Sequence, residues 1–188
     1  MTTIDVPLQG ITQQTNSLAS PAMGTYQFHR EVTATLAASP GVLFPLLDDP
    51  SRLAAHMGKR SAMLAWGMIH TETDELRGQA VGSVIRMSGN VLGMSLRLEE
   101  AVVERVPQHH KTWETLGEPR LLVIGSYRMG FDFAPGGHRT RLRVWIDYNL
   151  PSAKGQRWLG RLFGHSYADW CVRKMLQAAT QAANGAHR

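Results

Sequence analysis

Residues 139–151 read RTRLRVWIDYNLP, and the fold turns on which side of this stretch is dry. Arg139, Arg141 and Arg143 hold one register of the alternation, while Leu142, Val144, Ile146 and Tyr148 hold the other. A period of two marks a strand with one buried face. The arginines are then either a basic ribbon that grips a polyanion or the wet side of a packed sheet. Residues 139–188 carry 9 Lys+Arg against 2 Asp+Glu, whereas residues 1–138 carry 11 against 13. All the net positive charge therefore sits in this strand and the residues C-terminal to it.

The segment after the strand is helical. From Ser152 to about Ala183 the apolar positions recur with the helical period, and at 100° per residue Leu159, Phe163, Tyr167, Trp170, Cys171, Met175 and Ala178 share one broad arc. Arg161, His165, Asp169 and Arg173 fall opposite. A helix of about 25 residues is ~38 Å long and crosses a small domain. If its apolar arc lies on the sheet, Arg157, Arg161 and Arg173 face away from the arginine strand. The positive charge is then split between two sides of the molecule, and no nucleic-acid partner is expected.

Upstream, YQFHREVTAT (26–35) alternates as a strand. In SPGVLFPLLDDPSRLAAHM (39–57), Ser39-Pro40 and Asp49-Pro50 are helix starts. Pro45 and Pro50 predict two short helices with a break near Asp48. Six more strands are read at 63–70, 81–89, 93–106, 109–116, 121–133 and 139–150. They are separated at Leu76-Arg77-Gly78, Gly89-Asn90, Val106-Pro107, Gly117-Glu118-Pro119 and Ala134-Pro135-Gly136-Gly137. Connections this short favour antiparallel neighbours. Strand one should pair with a late strand, and Asp132 is a candidate partner for the arginines of the last strand.

At 188 residues, 43% hydrophobic and 19% charged, the chain suits one soluble domain with a real core. Residues 1–24 read as a flexible polar arm, 25–183 as the domain and 184–188 as a frayed end. A single cysteine, Cys171, excludes an internal disulfide and a thiolate metal cluster. The arm lacks a signal-peptide core, and no run approaches the ~20 apolar residues that span a bilayer. The expectation is a cytoplasmic protein without stable membrane insertion.

The resulting fold class is α+β: a curved seven-stranded antiparallel sheet wrapped around a long C-terminal helix, with two short helices after strand one. The element order, with ATLAASPGVLFPLLDDPSRLAAHM between the first two strands and TRLRVWIDYNLP running into the last helix, resembles the START-like SRPBCC superfamily. These helix-grip proteins include polyketide cyclases, lipid-transfer domains and pollen-allergen-type binders. The stretch LRLEEAVVERVPQHHKTWETLGEPRLLVIGSYRMGFDFAP (96–135) resembles their middle hairpins. The resemblance runs from Tyr26 to Thr180. It implies a hydrophobic cavity between sheet and helix, and no particular reaction.

Candidate chemistry is sparse. GHSYA (164–168) mimics a hydrolase nucleophile elbow around Ser166, but that motif needs a strand-to-helix turn and here falls inside a helix. Its glycines are expected to ease helix packing instead. Eight histidines show no ligand spacing: His109 and His110 are adjacent on a strand, and His56, His70, His138 and His165 lie on different elements. No metal and no cofactor is expected. The inward registers are Leu64, Trp66, Met68 and His70; Leu96, Leu98, Glu100 and Val102; and Tyr127, Met129, Phe131 and Phe133. Glu100 is an acid among apolar neighbours. Buried, it would have a raised pKa and could act as a general acid or base; a bulge around Glu99-Glu100-Ala101 would instead return it to solvent. Tyr127, Tyr148, Trp113 and Tyr167 could orient a ligand by their polar tips.

Nine methionines, with Met68, Met87, Met94 and Met129 in strands, suit an adaptable apolar lining or simply a filled core. The expected ligand wall is Trp66, Met87, Leu98, Tyr127, Met129 and Tyr148 from the sheet, with Phe163, Tyr167 and Trp170 from the helix. The leading expectation is binding or transport of an apolar or aromatic small molecule. The alternatives are a polyketide cyclase/dehydratase-type enzyme using the same cavity, with Glu100 as its catalytic group, and an interaction module without a ligand.

Overall fold

The computed structural model describes residues 25–53, 69–91, 94–136, 139–153 and 155–185. Seven strands, β1 (Phe28–Leu36), β2 (Ile69–Thr73), β3 (Val84–Val91), β4 (Met94–Val106), β5 (His110–Thr115), β6 (Tyr127–Gly136) and β7 (Arg139–Tyr148), form one antiparallel sheet ordered β1-β7-β6-β5-β4-β3-β2. Strands β2 to β7 pair with their sequence neighbours, and β1 crosses over to pair with β7. A long helix, α3 (Arg157–Gly185), packs on β1 and β7 and touches α1 (Pro40–Asp48).

Strand β7 answers the question its sequence poses. Arg139, Arg141 and Arg143 are exposed, and Leu142, Val144, Ile146 and Tyr148 are buried. Arg143 pairs with Glu31 of β1 at 2.6 Å and with Asp132 of β6 at 3.5 Å, so the basic register is a solvated, ion-paired outer face. The dry register meets Phe131 and Phe133 from β6 and Val172 and Met175 from α3 in one core. Each such buried aliphatic or aromatic side chain stabilises the fold by about 1.5–3 kcal/mol.

Between β1 and β2 the helices obey their prolines. Pro40 occupies the first turn of α1, where its missing N–H costs nothing. Pro45 is accommodated inside that helix, and the break comes at Asp49, whose extended backbone is what a residue before Pro50 adopts. The Asp49 carboxylate then accepts from the backbone N–H groups of Ser51 and Arg52, capping a second short helix, α2, described over 50–53.

Several boundaries move. Of the strand expected at 63–70, residues 63–68 lie outside the described residues, and β2 occupies Ile69–Thr73 with His70 exposed and paired to Glu72. Gly89 and Asn90 do not turn the chain; they are paired within β3, opposite Leu96 and Ser95. Pro135 and Gly136 are likewise still paired with β7. Residues 121–126 precede β6 without joining the sheet, because the backbone of 125 and 126 bonds to Asn149 beyond the end of β7. The long helix starts at Arg157 rather than 152.

Its buried face also differs in the first turns. Gly160 and Gly164 point inward, where a Cβ on Gly160 would meet Pro151 at 2.6 Å and one on Gly164 would meet the Val123 carbonyl at 3.1 Å. The helix can approach this closely only without side chains, so Phe163, expected in the inward arc, is exposed. Further along, Cys171, Met175 and Ala178 are buried as expected, but so are Ala168 and Val172, which lie outside the expected arc, so the inward face is rotated from the one the apolar periodicity predicts.

Candidate functional site

The polar focus of the inner face is Glu100. On β4 it sits opposite Ile85 of β3 and Thr115 of β5, with Leu98 and Val102 two residues to either side, all in the inward register. The ladder does carry a bulge, but between Val102 and Glu104, not at 99–101. Glu100 therefore stays inside and is 3% exposed, whereas the parity beyond the bulge reverses.

Three elements converge on this carboxyl. The Tyr127 hydroxyl, at the start of β6, donates to Glu100 Oε1. Trp113 of β5 hydrogen-bonds it as well. From α3, Tyr167 and Cys171 are hydrogen-bonded to each other and lie close enough to feel the Glu100 charge. Burial raises the Glu100 pKa to about 7, against the hydrogen bonds of Tyr127 and Trp113 and the more distant charge of Lys111. Burial, with the Glu100 charge, pushes the Tyr127 hydroxyl well up. The Cys171 sulfur and burial do the same to Tyr167, and burial pushes the Cys171 thiol up to about 12. At neutral pH the two tyrosines and the thiol keep their protons, and Glu100 alone is poised to exchange one. A carboxyl with a pKa near the working pH serves either direction of proton transfer.

The structure brings most of the sequence-proposed wall together. Leu98, Tyr127 and Met129 are buried around Glu100, Met87 lies opposite Leu98, and Tyr167 and Trp170 stack at 5.7 Å and are part-buried against the same core. Tyr148 is paired directly with Tyr127 but turns its hydroxyl to His165 Nδ1 at 2.6 Å. That nitrogen also accepts from Arg30 at 2.9 Å, and Arg30 reaches Asp169 at 3.3 Å, so Tyr148 belongs to a lock between β1, β7 and α3. Phe163 stands apart on the exposed side of α3. Trp66, His56 and Met68 lie outside the described residues. Ser166 is exposed in mid-helix, with no strand-to-helix turn to present it as a nucleophile. Among the described residues no group of three His, Cys, Asp or Glu is placed to hold a metal ion.

A second buried carboxylate lies at the other end of the same face. Asp48, 4% exposed at the end of α1, receives both Nε and Nη2 of Arg105 at 2.9 and 2.8 Å, and Lys111 Nζ at 3.1 Å. Lys111 is 2% exposed and also donates to the carbonyls of Asp48 and Gly78, each at 2.6 Å. Burial works to raise the Asp48 pKa, yet Arg105 and Lys111 outweigh it and the net shift is downward. Burial lowers the Lys111 pKa against the pull of Asp48. Arg105 reaches inward because the bulge at 102–104 has reversed its register, and it lies over the Phe44 ring at 5.4 Å. This network was not read from the sequence. Lys111 shares its register with Trp113, so a charge in the inward set of β5 was visible; Arg105 was not, since one extra residue hides its direction.

One surface depression, of about 320 Å³, is bounded by Arg97, Glu99, Glu118 and Arg120, and another, of about 340 Å³, lies beside Asp49, Arg52 and Arg105. Neither lies between α3 and the sheet. No helix among the described residues is long and apolar enough to cross a membrane.

No family model matches the chain, and no curated protein matches it significantly in sequence. Solved structures do match in shape. The Zhui aromatase/cyclase from a Streptomyces species is 17% identical with a TM-score of 0.64, covering 86% of this chain and 96% of its own. The protein TTHA0849 from Thermus thermophilus is 15% identical with a TM-score of 0.62, covering 86% of this chain and 100% of its own. Norcoclaurine synthase from Thalictrum flavum, in complex with dopamine and hydroxybenzaldehyde, is 15% identical with a TM-score of 0.57, covering 82% of this chain and 84% of its own. Together with the sheet order and the C-terminal helix, these likenesses show that the chain has the helix-grip fold.

Proposed function

We propose that the protein binds an apolar or aromatic small molecule between the inner face of the sheet and α3, with Glu100 as the polar contact. The observation that carries this reading is a carboxyl buried among Leu98, Trp113, Tyr127 and Tyr167, whose hydrogen-bond partners among the described residues are neutral. Ligand sites are mostly apolar with a few convergent polar groups, and those groups set orientation. The helix-grip fold, with norcoclaurine synthase holding two small aromatic molecules, supports the same reading. Met87 and Met129 would supply an adaptable lining, and Trp66 and Trp170 further aromatic surface, in a cavity of roughly 300–1,000 Å³.

An environment-sensitive apolar dye is expected to bind, to quench tryptophan fluorescence and to raise the melting temperature by mass action. Met129→Trp, which fills the space, is expected to abolish binding while the circular dichroism spectrum is kept. No dye binding by the wild-type chain would end this reading.

The Glu100 pKa of about 7 favours a second reading: an enzyme of the cyclase or dehydratase kind, with Glu100 moving protons on a bound substrate. Glu100→Gln would then lower turnover and leave ligand affinity in place. Equal turnover in the variant would return Glu100 to a purely binding role.

A further inference from the structure

The first turns of α3 carry a surface that the ligand site does not use. Trp158 is 60% exposed, Leu162 61% and Phe163 43%, on a helix whose opposite face is buried. Trp158 and Leu162 are one turn apart and share a face; Arg157 and Arg161, both exposed, form the adjacent row. The apolar side chains are outside because Gly160 and Gly164 hold the inner face against Pro151, Leu150 and Val123. Between Tyr148 and Ala168 the sequence has no Asp or Glu, and the next acid, Asp169, is paired with Arg30.

We infer that this ridge is a peripheral docking surface for an anionic lipid bilayer. Exposed Trp and Leu beside arginines at the start of a helix are the chemistry of an interfacial anchor: rings at headgroup depth and guanidinium groups on phosphate. The charge distribution disfavours a second copy as the occupant. A two-fold contact would set Arg157 and Arg161 against their own equivalents, with no acid on this stretch to receive them. A protein partner anchored by aromatic side chains is favoured by concave pockets. Here the apolar groups stand on a ridge, and neither the depression at Arg97–Arg120 nor the one beside Asp49 adjoins it. A fluid surface fits a ridge without needing a complementary shape. The inference is independent of what the inner face binds, although α3 also contributes Tyr167 and Cys171 to that face.

The test is co-sedimentation of the full chain with phosphatidylcholine vesicles, with and without phosphatidylserine, at low salt. The wild-type chain is expected to pellet with the anionic vesicles and not with the neutral ones. In Arg157→Gln/Arg161→Gln each lost charge is expected to weaken binding about fivefold, roughly thirtyfold for the pair. Trp158→Ser/Leu162→Ser is expected to lose binding with an unchanged melting temperature. Brominated acyl chains should quench a tryptophan signal that Trp158→Phe removes, a readout that needs no folded double variant. The proposal is overturned if the wild-type chain pellets with neither vesicle or if Trp158→Ser/Leu162→Ser binds as the wild type does. It is equally overturned if the wild-type chain is a dimer that this double variant dissolves, or if an acidic protein held by these arginines displaces no lipid.

Discussion

Asp48 and Glu100 are two carboxylates buried to nearly the same degree on one sheet face, and they are driven in opposite directions. Asp48 has two cations, one in bidentate contact, and stays ionised below the usual carboxylate range. Glu100 has two neutral donors and a raised pKa of about 7. Burial is unfavourable to charge at both places, so it does not distinguish them. What differs is the sign and number of the partners. An ion cluster in which Lys111 also holds two backbone carbonyls ties α1, β4, β5 and the turn at Gly78 together. A carboxyl that neutral groups hold half-protonated is free to trade a proton or accept a ligand's hydrogen bond. The first region fixes position, and the second is the one the proposed function draws on.

The largest effect that could break this contrast comes from the ion cluster. Asp48→Ala removes the anion and leaves Lys111 buried with carbonyl partners only. The expected loss is about 3–5 kcal/mol of unfolding free energy at pH 7, as for other broken buried pairs. Urea denaturation measures it. A loss under about 1 kcal/mol would mean that the cluster is solvated and that the two regions differ less than their contacts imply.

The second effect has the opposite sign. The folded-state pKa of Glu100 lies above its ordinary value of 4.5, so its contribution to stability is fully present below about pH 4.5 and is lost as pH rises through about 7. Glu100→Gln removes that loss and leaves an amide oxygen to accept from Tyr127. The variant is expected to match the wild type near pH 4.5 and to exceed it by up to about 3 kcal/mol at pH 8, the value of the full shift. For Asp48, whose pKa is lowered, the contribution is instead present above its ordinary value of 3.8 and lost as pH falls through the folded value. Relative to the wild type, the two variants should therefore move in opposite directions as pH rises: the deficit of Asp48→Ala deepens while the gain of Glu100→Gln grows. Parallel curves would show that the two carboxylates share one environment.

The sequence carried unequal amounts of this. Strict alternation in β7 and β6 made the dry and wet registers legible, down to the pairing of Arg143 with Asp132. Glu100 was legible as a lone acid in the Leu98–Val102 register, but its burial depended on where the bulge fell, and nothing local distinguishes 99–101 from 102–104. The same bulge concealed Arg105. Gly160 and Gly164 decided which side of α3 is inside, against an apolar arc that placed Phe163 inward, because close backbone approach outweighs hydrophobic side chains that can be turned to solvent. Turn chemistry misled at Gly89-Asn90, where strand pairing continued through residues that usually end it. In each case a long-range partner overrode a local preference.

The smallest effect tests the chemistry of the second region directly. Tyr127 donates to Glu100 and, of the partners that favour its ionised form, contributes most. Tyr127→Phe deletes the hydroxyl and keeps the ring in the core. The carboxylate then loses one neutral hydrogen bond, typically about 1 kcal/mol, so the Glu100 pKa should rise from about 7 by roughly one unit. Infrared titration of the protonated carboxyl band, assigned by its absence in Glu100→Gln, reads this shift. Asp48→Asn should move the same band far less, because Lys111 acts on Glu100 only as a distant charge. If Tyr127→Phe leaves the band in place while Asp48→Asn moves it, then charge at a distance governs Glu100 and its neighbouring hydroxyl does not. The site would then have to be rebuilt around the ion cluster.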